Sequence, residues 1–255
     1  DITTGSLLQK FTAPNSYFVE DNFGTSLAID GNLALVGALG KNSAYLFDTT
    51  TGSLLHKLTA PDGANRARFG TSVAIDGNRA LVGANANDDN GHASGSAYLF
   101  DTTTGSFLQK LTAPDGANGD QFGISVAIDG NHALVGAWLD DDNGDASGSA
   151  YLFDTTTGSF LQKLTAPDGA NGNKFGYSVA IDGNQVLVSA LSDDDNGINS
   201  GSAYLFKPKS ESEPESIPEP SFVFGLVALG TLATAGKFKN KVGAIATQFF
   251  GLGRK

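Results

Sequence analysis

A repeat that spans most of the chain constrains its fold more than any other feature. Phe69, Phe122 and Phe175 open three nearly identical copies at intervals of 53 residues, and a shortened copy opens at Phe23. Self-similarity at such a period is typical of solenoids and propellers, in which each unit buries its apolar surface against the next. The chain is therefore expected to form a series of similar units.

Each copy contains four short apolar runs that are separated by turn sequences. In the copy that opens at Phe122 the runs are 125–129, 133–137, 149–153 and 160–166. Asp-Gly and Gly-Asn pairs between the runs favour tight hairpins, because glycine and asparagine accept a positive φ. Runs such as Ala-Leu-Val-Gly-Ala are apolar at successive positions, so both faces of each sheet are expected to be buried. The pattern predicts an all-β fold, a β-propeller of four-stranded antiparallel blades.

The fourth run of each copy carries a lysine at the same place. These residues are Lys10, Lys57, Lys110 and Lys163. A lysine on the outermost strand of a blade discourages edge-to-edge pairing with another chain. The fourth run is therefore placed at the rim.

Three motifs recur in the copies in a fixed order, with small variations: Phe-Gly-x-Ser-Val-Ala, Val-Gly-Ala and Gly-Ser-Ala-Tyr-Leu-Phe-Asp. They resemble the FG-GAP repeat, the blade unit of the integrin α-subunit propeller and of many bacterial surface proteins. The resemblance covers residues 1–206 and implies that ligands bind to the loops on one face. The chain departs from the family at Ser189, which replaces a glycine, and where the proline of Gly-Ala-Pro is replaced by Leu39, Asn85, Trp138 and Leu191.

The two ends of the repeat region are incomplete in complementary ways. Residues 1–14 match a turn and a fourth run, whereas the copy that opens at Phe175 departs from the repeat at Lys207, before a fourth run. We expect four blades, with the N-terminal strand completing the last one, because closure removes exposed edges. The alternative is that upstream blades are missing, since integrin-type propellers contain more.

Charge divides the chain into an acidic repeat region and a basic tail. Residues 1–206 contain 9 lysines and arginines against 23 aspartates and glutamates, and residues 207–255 contain 7 against 4. An acidic body argues against nucleic acid as a partner, since phosphate binding draws on clustered basic side chains. There is no cysteine, so stability has to come from packing. There is also no methionine, which leads us to expect a processed or partial chain whose signal peptide lies upstream.

Acidic loops are predicted to ring one face of the propeller. In a four-stranded antiparallel blade, the connection between the second and third strands shares a face with the connection to the next blade, and both are long here. Loops on a rigid scaffold are the usual place for binding residues. The predicted ligand-binding face comprises Asp88, Asp89, Asn90, Trp138, Asp140, Asp141, Asp142, Asn143, Asp193, Asp194, Asp195 and Asn196.

The same loops offer the oxygen ligands that calcium requires. In the FG-GAP family the calcium loop lies between Phe-Gly and Gly-Ala-Pro, where this chain has only short turns such as 129–131. A Ca2+ site is therefore predicted one connection later, with Asp140 and Asp142, and Asp193 and Asp195, as ligands. The alternative is a solvated, charged turn without metal.

No catalytic constellation emerges from the sequence. His56, His92 and His132 occupy different positions of the repeat, and neither a zinc-binding spacing nor a phosphate-binding glycine loop is present. We therefore predict that the protein is not an enzyme. A polysaccharide hydrolase that uses two loop carboxylates is the alternative from a different class.

The tail changes character at the end of the repeats. Residues 207–220 are rich in proline, serine and glutamate and are predicted to form an extended linker. Residues 221–255 are predicted to be a hydrophobic and basic tail with a short helix. Its apolar run, 222–236, is short for a bilayer at about 1.5 Å per helical residue, and lysines follow it.

The segment Pro218, Glu219, Pro220 and Ser221, followed by the apolar run and the lysines, resembles the PEP-CTERM sorting signal of exported bacterial proteins. The resemblance implies an exosortase-type processing enzyme as a partner, and the alternative is an ordinary membrane anchor. Both place the propeller outside the cytoplasm. The sequence thus predicts an extracytoplasmic module, at the cell surface or in a secreted matrix, for adhesion to or recognition of protein or glycan ligands. A purely structural spacer is the alternative.

Overall fold

The computed structural model describes residues 3–14, 21–63 and 66–207. Within these residues the fold is all β, apart from one short 3-10 turn at Leu39–Lys41. The strands are β1 (Phe23–Asp30), β2 (Leu33–Ala38), β3 (Ser43–Asp48), β4 (Leu54–Leu58), β5 (Val73–Asp76), β6 (Arg79–Ala84), β7 (Ser96–Asp101), β8 (Phe107–Leu111), β9 (Ser125–Asp129), β10 (His132–Ala137), β11 (Ser149–Asp154), β12 (Phe160–Leu164), β13 (Phe175–Asp182), β14 (Gln185–Ala190) and β15 (Ser202–Phe206).

The strands form four sheets in chain order, which we number as blades 1 to 4. The first three blades are four-stranded and antiparallel, and the fourth has three strands, β13 to β15, within the described residues. Neighbouring strands in a sheet are also neighbours in sequence, so the connections within a blade are hairpins. The first strands of successive blades contact one another, which places them on the inside and the fourth strands at the rim. The prediction of four-stranded antiparallel blades is confirmed for blades 1 to 3.

The turn between the first and second strands of a blade also joins that blade to the next one. Gly77 and Gly130 have φ values of 53° and 52° in these turns, which glycine adopts because it has no Cβ. The amide of Gly77 donates to Asp30 at 2.7 Å, and the amide of Gly130 donates to Asp76 at 2.7 Å. Each turn aspartate therefore ties its blade to its neighbour.

The apolar side chains cluster between neighbouring blades. Between blades 2 and 3, Leu81 and Leu99 of one sheet pack against Phe122, Tyr151 and Phe153 of the next. The rings of Phe122 and Phe153 meet edge to face with their centroids 5.9 Å apart, a geometry that contributes about 1 kcal/mol beyond burial. Both faces of a middle sheet are covered, as the successive apolar positions predict.

The backbones of neighbouring blades come so close that the second strand of each of blades 1 to 3 requires a glycine at the contact. The carbonyl oxygen of Gly123 in blade 3 accepts a hydrogen bond of 2.8 Å from the Ser72 hydroxyl of blade 2, and it faces Gly83. A methyl group added at Gly83 would overlap that oxygen. Gly37 and Gly136 stand in the same relation to the blades that follow them. The contact explains why Val-Gly-Ala recurs on the second strand.

The predicted closure of the ring by the N-terminal strand is not present in this structure. Residues 6–10 form no strand, and β15 has no strand on its outer side among the described residues. Leu27 and Ile29 of blade 1 are 71% and 72% exposed, whereas the corresponding Val73 and Ile75 of blade 2 are 8% and 9% exposed. Blade 4 therefore does not cover blade 1.

Ser189 gives a physical reason for this difference. It stands where blades 1 to 3 have the glycine of the second strand, and its hydroxyl accepts a hydrogen bond of 3.0 Å from the Ser178 amide. If blade 1 packed onto blade 4 as the other blades pack on one another, the Ser189 side chain would meet the carbonyl of Gly24. Phe11 instead packs on blade 1, with its ring centroid 4.8 Å from that of Phe47.

Some of the sequence predictions fall on residues that the structure does not describe. These are the linker from residue 208 onward, the tail 221–255 with its short helix, and the sorting segment Pro218, Glu219, Pro220 and Ser221. In the described part of the chain, we find no helix with the length and apolar character needed to span a bilayer.

Gly83, at the contact between blades 2 and 3, leads to a prediction with a matched control. Gly83→Ala should lower the free energy of unfolding by about 3 kcal/mol, because the added methyl group forces blades 2 and 3 apart at the carbonyl of Gly123. Ser189→Ala, at the corresponding place in blade 4, should change it by less than about 1 kcal/mol. Urea denaturation of both variants measures the difference, and equal losses would contradict the role given to the junction.

Candidate functional site

The long connections meet on one face of the blades, as the topology predicts. The amide of Gly119 donates to the carbonyl of His92 at 2.9 Å, and the amide of Gln121 donates to the carbonyl of Ala93 at 3.1 Å. The same bonds recur between blades 3 and 4. We call this surface the loop face, and it comprises the connections 39–42, 59–72, 85–95, 112–124, 138–148, 165–174 and 191–201, as far as they are described.

The first acid of each triple aspartate is buried and holds a tyrosine of the third strand. Asp140 is 3% exposed and accepts a hydrogen bond of 2.7 Å from the Tyr151 hydroxyl. Asp193 is also buried and accepts a hydrogen bond from Tyr204 in blade 4. These two predicted ligand-binding residues therefore stabilise the fold instead of facing solvent.

The second acid closes its loop. Asp88 accepts a hydrogen bond of 2.7 Å from the amide of Ala93, and Asp141 accepts one of 2.8 Å from the amide of Ala146. Asp194 makes the corresponding contact in blade 4. Ala93 and Ala146 both have a φ of 51°, and the hydrogen bond supports this uncommon conformation.

The asparagine at the end of each acidic run has structural partners as well. The side-chain amide of Asn90 donates to the carbonyl of Ala113 at 3.2 Å, and that of Asn143 donates to Ala166 at 3.4 Å. These bonds join the two loops of the face. Asn196 of blade 4 donates its backbone amide within its own loop.

The third acid pairs with the lysine of the fourth strand. The ammonium of Lys163 lies 2.7 Å from Asp115 and in contact with Asp142. In blade 2, Lys110 contacts Asp89 in the same way. The lysine thus reaches both the loop that precedes its blade and the loop between the second and third strands of that blade, and it links them by charge.

The pKa values agree with this structural role. Burial alone would lower the pKa of Lys163, but hydrogen bonds to Asp115 and Asp142 and the charge of Asp140 outweigh it, so this pKa is raised. Burial would raise the pKa of Asp115, but the hydrogen bonds from Lys163 and Tyr151 outweigh it, so this pKa is lowered. Lys163 is therefore a structural cation on the rim strand, and its protection of that edge stays a prediction.

Blade 4 has the carboxylates of this arrangement without the lysine. Tyr204 donates to Asp168 at 2.9 Å and also to Asp193. The charges of Asp193 and Asp168 raise the pKa of Asp195. No lysine or arginine in the described ranges forms an ion pair with these three carboxylates.

The predicted calcium ligands lie in two different settings. Asp140 and Asp142 converge, but they do so on the ammonium of Lys163. The charge of Asp193 raises the pKa of Asp195, and no lysine or arginine of the described residues forms an ion pair with either carboxylate. Among the described side chains, no group of three or more histidines, aspartates or glutamates is arranged to hold a metal ion. Calcium binding stays a prediction, which melting curves with calcium and with a chelator test.

Asp120 is a buried carboxylate that the sequence did not single out. It is 3% exposed and accepts a hydrogen bond of 2.7 Å from the amide of Ala117. Burial, assisted by the charges of Asp140 and Asp141, raises the pKa of Asp120 to about 6. The corresponding residue of the next repeat is the neutral Asn173.

Trp138 lies half-buried in a cluster of polar and aromatic side chains. Its indole N–H donates to Gln121 at 3.2 Å, and its ring centroid lies 5.3 Å from that of Tyr177. The ammonium of Lys174 lies 5.4 Å from the indole ring centre. The side-chain amide of Asn85 also donates to Gln121, at 2.8 Å. Of these residues, the sequence had pointed only to Trp138.

A cleft of about 530 Å³ opens between the loops of blades 1 and 2. Its polar lining includes Arg66, Arg68, Asn85, His92 and Gln121. The sequence did not identify this cleft, because none of these residues belongs to the acidic runs. A comparison of the repeats with one another would have drawn attention to them.

The second and third repeats differ mainly on the loop face. Residues 69–121 and 122–174 differ at eight of 53 aligned positions, and seven of the eight lie on this face, which holds 25 positions of the repeat. The seven pairs are Thr71/Ile124, Asn85/Trp138, Ala86/Leu139, Asn87/Asp140, His92/Asp145, Asp120/Asn173 and Gln121/Lys174, and the eighth is Arg79/His132.

Asp120→Asn is expected to raise the free energy of unfolding at pH 7 by about 1–2 kcal/mol. The folded-state pKa of Asp120 is raised, so the stability that its neutral form contributes is present at low pH and is lost as the pH rises through about 6. The difference between variant and parent should therefore shrink between pH 6 and about pH 4. Denaturant titrations across this range measure it, and a constant difference would contradict the raised pKa.

Lys163→Met should lower the free energy of unfolding at pH 7 by about 2 kcal/mol, since it leaves Asp115, Asp140 and Asp142 without their cation. Lys57→Met is the matched control, because Lys57 is exposed and blade 1 lacks the acidic loop, and it should cost less than about 0.5 kcal/mol. Urea denaturation compares the two variants. A loss of similar size in both would show that Lys163 is an ordinary surface lysine.

Comparison with known proteins agrees with this architecture. The family model described as "FG-GAP repeat" matches residues 53–100, 106–153 and 159–206. Each match starts at the rim strand of one blade and ends in the third strand of the next. No curated protein sequence matches the chain.

Several solved structures share the fold at low sequence identity. The computationally designed Ika4 protein has a TM-score of 0.52 and 18% identity, over 80% of this chain and 99% of that one. The Kuenenia stuttgartiensis hydrazine synthase has a TM-score of 0.52 and 14% identity, over 77% of this chain and 49% of that one. These neighbours support propeller-like blades and carry no information on activity. Because the three matched segments cover more than half of its residues, the chain belongs to the FG-GAP repeat family.

Proposed function

We propose that the protein is an extracytoplasmic binding module whose loop face recognises glycan or protein ligands at a bacterial surface or in its matrix. The observation that carries this proposal is the concentration of differences between the second and third repeats on that face. The buried strand positions are the same in both repeats, because the blade junctions restrict them. Side chains on the loop face change in charge, size and aromatic character, as the pairs Asn85/Trp138 and Gln121/Lys174 illustrate.

A purely structural spacer would be expected to vary at both solvent-exposed ends of its blades. The opposite end carries the turns 101–105 and 154–158, which are identical although two threonines of each turn are exposed. Of the eight differing positions, only Arg79/His132 lies at that end. The asymmetry between the two ends favours a binding face over a spacer.

The structure favours other residues of the loop face than the acidic runs as ligand contacts. The buried Asp140 and Asp193 hold tyrosines, and Asp141 closes its own loop. Tyr177 is 41% exposed, and it lies beside Trp138. The aromatic and amide side chains around Trp138 are therefore proposed as ligand contacts ahead of the acidic runs.

Export and tethering form part of the same proposal. Extracellular placement accords with the FG-GAP repeats and with the segment 218–221, which resembles a PEP-CTERM signal. We propose processing by an exosortase-type enzyme, or a membrane anchor, at that end of the chain. Calcium dependence is proposed as a feature of the acidic loops and is tested separately.

A polysaccharide hydrolase would need an accessible carboxyl group with a raised pKa as its general acid. Asp120 has the raised pKa but is 3% exposed, so a polysaccharide would not reach it. Asp195 has a raised pKa at the surface, but the charges of Asp193 and Asp168 are the cause. These settings favour binding over hydrolysis.

The binding proposal is tested with the full chain on arrays of bacterial surface glycans and in pull-downs from cell envelopes. Tyr177→Thr combined with Lys174→Gln introduces the residues that earlier repeats carry at these two places, Thr71 and Gln121. We expect this variant to bind at least tenfold more weakly, because it removes an aromatic and a cationic contact. Arg79→Gln on the opposite end is the control and should bind as the parent does. Blank screens, or equal binding by all three proteins, would contradict the proposal.

A further inference from the structure

The cleft between blades 1 and 2 presents two arginines that have no acidic partner among the described residues. Arg66 and Arg68 are exposed, and neither guanidinium forms a hydrogen bond or ion pair with a described residue. By contrast, Lys110 and Lys163 are held by aspartates, and Lys41 lies 3.2 Å from Asp21. In a region with 23 acidic and 9 basic residues, two unpaired arginines create a local positive field that attracts anions.

A shortened loop exposes these arginines. The connection 39–42 of blade 1 is seven residues shorter than its counterpart in blade 2. In blade 2 the carbonyl of Ser94, within the longer loop, accepts a hydrogen bond of 3.0 Å from the amide of Phe122. In blade 1 the side chain of Asn42 takes over this role and accepts a bond of 3.2 Å from the amide of Phe69. The hydrogen bond between the two blades is therefore kept, while blade 1 lacks the loop residues that lie over this place in blade 2.

The backbone of Arg66 is strained at this place. Its φ is 67°, in the left-handed region that residues with a Cβ adopt rarely. The corresponding residues of the later repeats are Gly119 and Gly172, which adopt positive φ without strain. A long charged side chain that adopts a conformation suited to glycine, with no partner among the described residues, points to a role in binding.

We propose that this cleft binds the carboxylate groups of an acidic polysaccharide. The proposal rests on the binding function of the loop face and names its ligand class. Guanidinium groups bind carboxylates through paired N–H donors, and Arg66 and Arg68 are two residues apart on one loop. Gln121 lines the same cleft and carries an amide that matches sugar hydroxyls, while the buried Asn85 holds it in place by a hydrogen bond of 2.8 Å. Gln121 accepts a hydrogen bond from the indole N–H of Trp138, whose aromatic surface suits the face of a sugar ring.

An acidic peptide could use the same arginines, but the surroundings favour a sugar. The apolar side chains that line the cleft are Leu39, Ala86 and Ala93, and no phenylalanine, tyrosine or tryptophan is among its lining residues. Peptide interfaces usually depend on an anchor side chain that fills a well-packed apolar pocket. The amide and aromatic groups next to the arginines instead match a chain of hydroxylated rings.

The test compares alginate oligosaccharides, which carry a carboxylate on every ring, with neutral cello-oligosaccharides of the same length. Calorimetric titration of the full chain, in the presence of a chelator, should show binding of the alginate fragments and at least tenfold weaker binding of the neutral ones. The affinity should fall as salt is raised. Arg66→Gly combined with Arg68→Gln gives the loop the residues of the second repeat, Gly119 and Gln121, so the variant should fold at least as well as the parent. It should lose at least tenfold in affinity for alginate.

Each outcome separates this inference from the general binding proposal. If Arg66→Gly with Arg68→Gln leaves binding unchanged while Tyr177→Thr with Lys174→Gln abolishes it, the loop face binds ligands but the arginine cleft assignment is wrong. Equal affinity for neutral sugars, or tighter binding of poly-glutamate peptides than of alginate, would overturn the ligand class. Arg79→Gln should bind alginate as the parent does. Absence of alginate binding by the parent would overturn the inference even if other ligands are found.

Discussion

The structure depends on how closely the backbone of one blade approaches the next. Between blades 2 and 3 the Ser72 hydroxyl bonds to the carbonyl of Gly123 at one end, and the turn aspartate Asp76 bonds to the amide of Gly130 at the other. Apolar burial between the sheets supplies most of the stabilisation, but it has no direction. The two hydrogen bonds, each contributing about 1 kcal/mol, fix the spacing and register, and Gly83 makes that spacing possible.

This spacing determines which residues are free to bind a ligand. In blades 2 and 3 both faces of the sheet are covered, so the inner strands give a ligand little access and the ends of these blades are the places left for binding. At the loop face, Asp140 anchors Tyr151, and Lys163 forms ion pairs with the surrounding carboxylates. The sequence predicts a metal or ligand site at the acidic runs, but most of their side chains hold the loops together. Of the positions at which the repeats differ, Asp140 belongs to these structural contacts, whereas His92 is exposed.

The sequence sufficed for the blades, because strand length, turn residues and the apolar pattern are local and occur repeatedly. It did not suffice for contacts between distant positions. The partner of Lys163 at 2.7 Å is Asp115, 48 residues earlier, and periodicity alone does not bring them together. The expected ring closure was wrong for a related reason. In the sequence, Ser189 is a small substitution for glycine. The structure shows why it matters, because the glycines at this place in blades 1 to 3 lie against a backbone carbonyl of the next blade. The tail remains a prediction from the sequence.

A fold of nearly identical units acquires a distinct site where one unit departs from the others without breaking a junction. The short loop of blade 1 does this, because Asn42 replaces the carbonyl that the longer loops supply to the following Phe-Gly segment. Asn42 has a φ of 47°, a conformation that asparagine tolerates better than most residues. Shortening a loop therefore changes the surface above the junction while the junction itself persists. Loop length, set separately in each repeat, is a means by which such a fold can place a single cleft on an otherwise repetitive face.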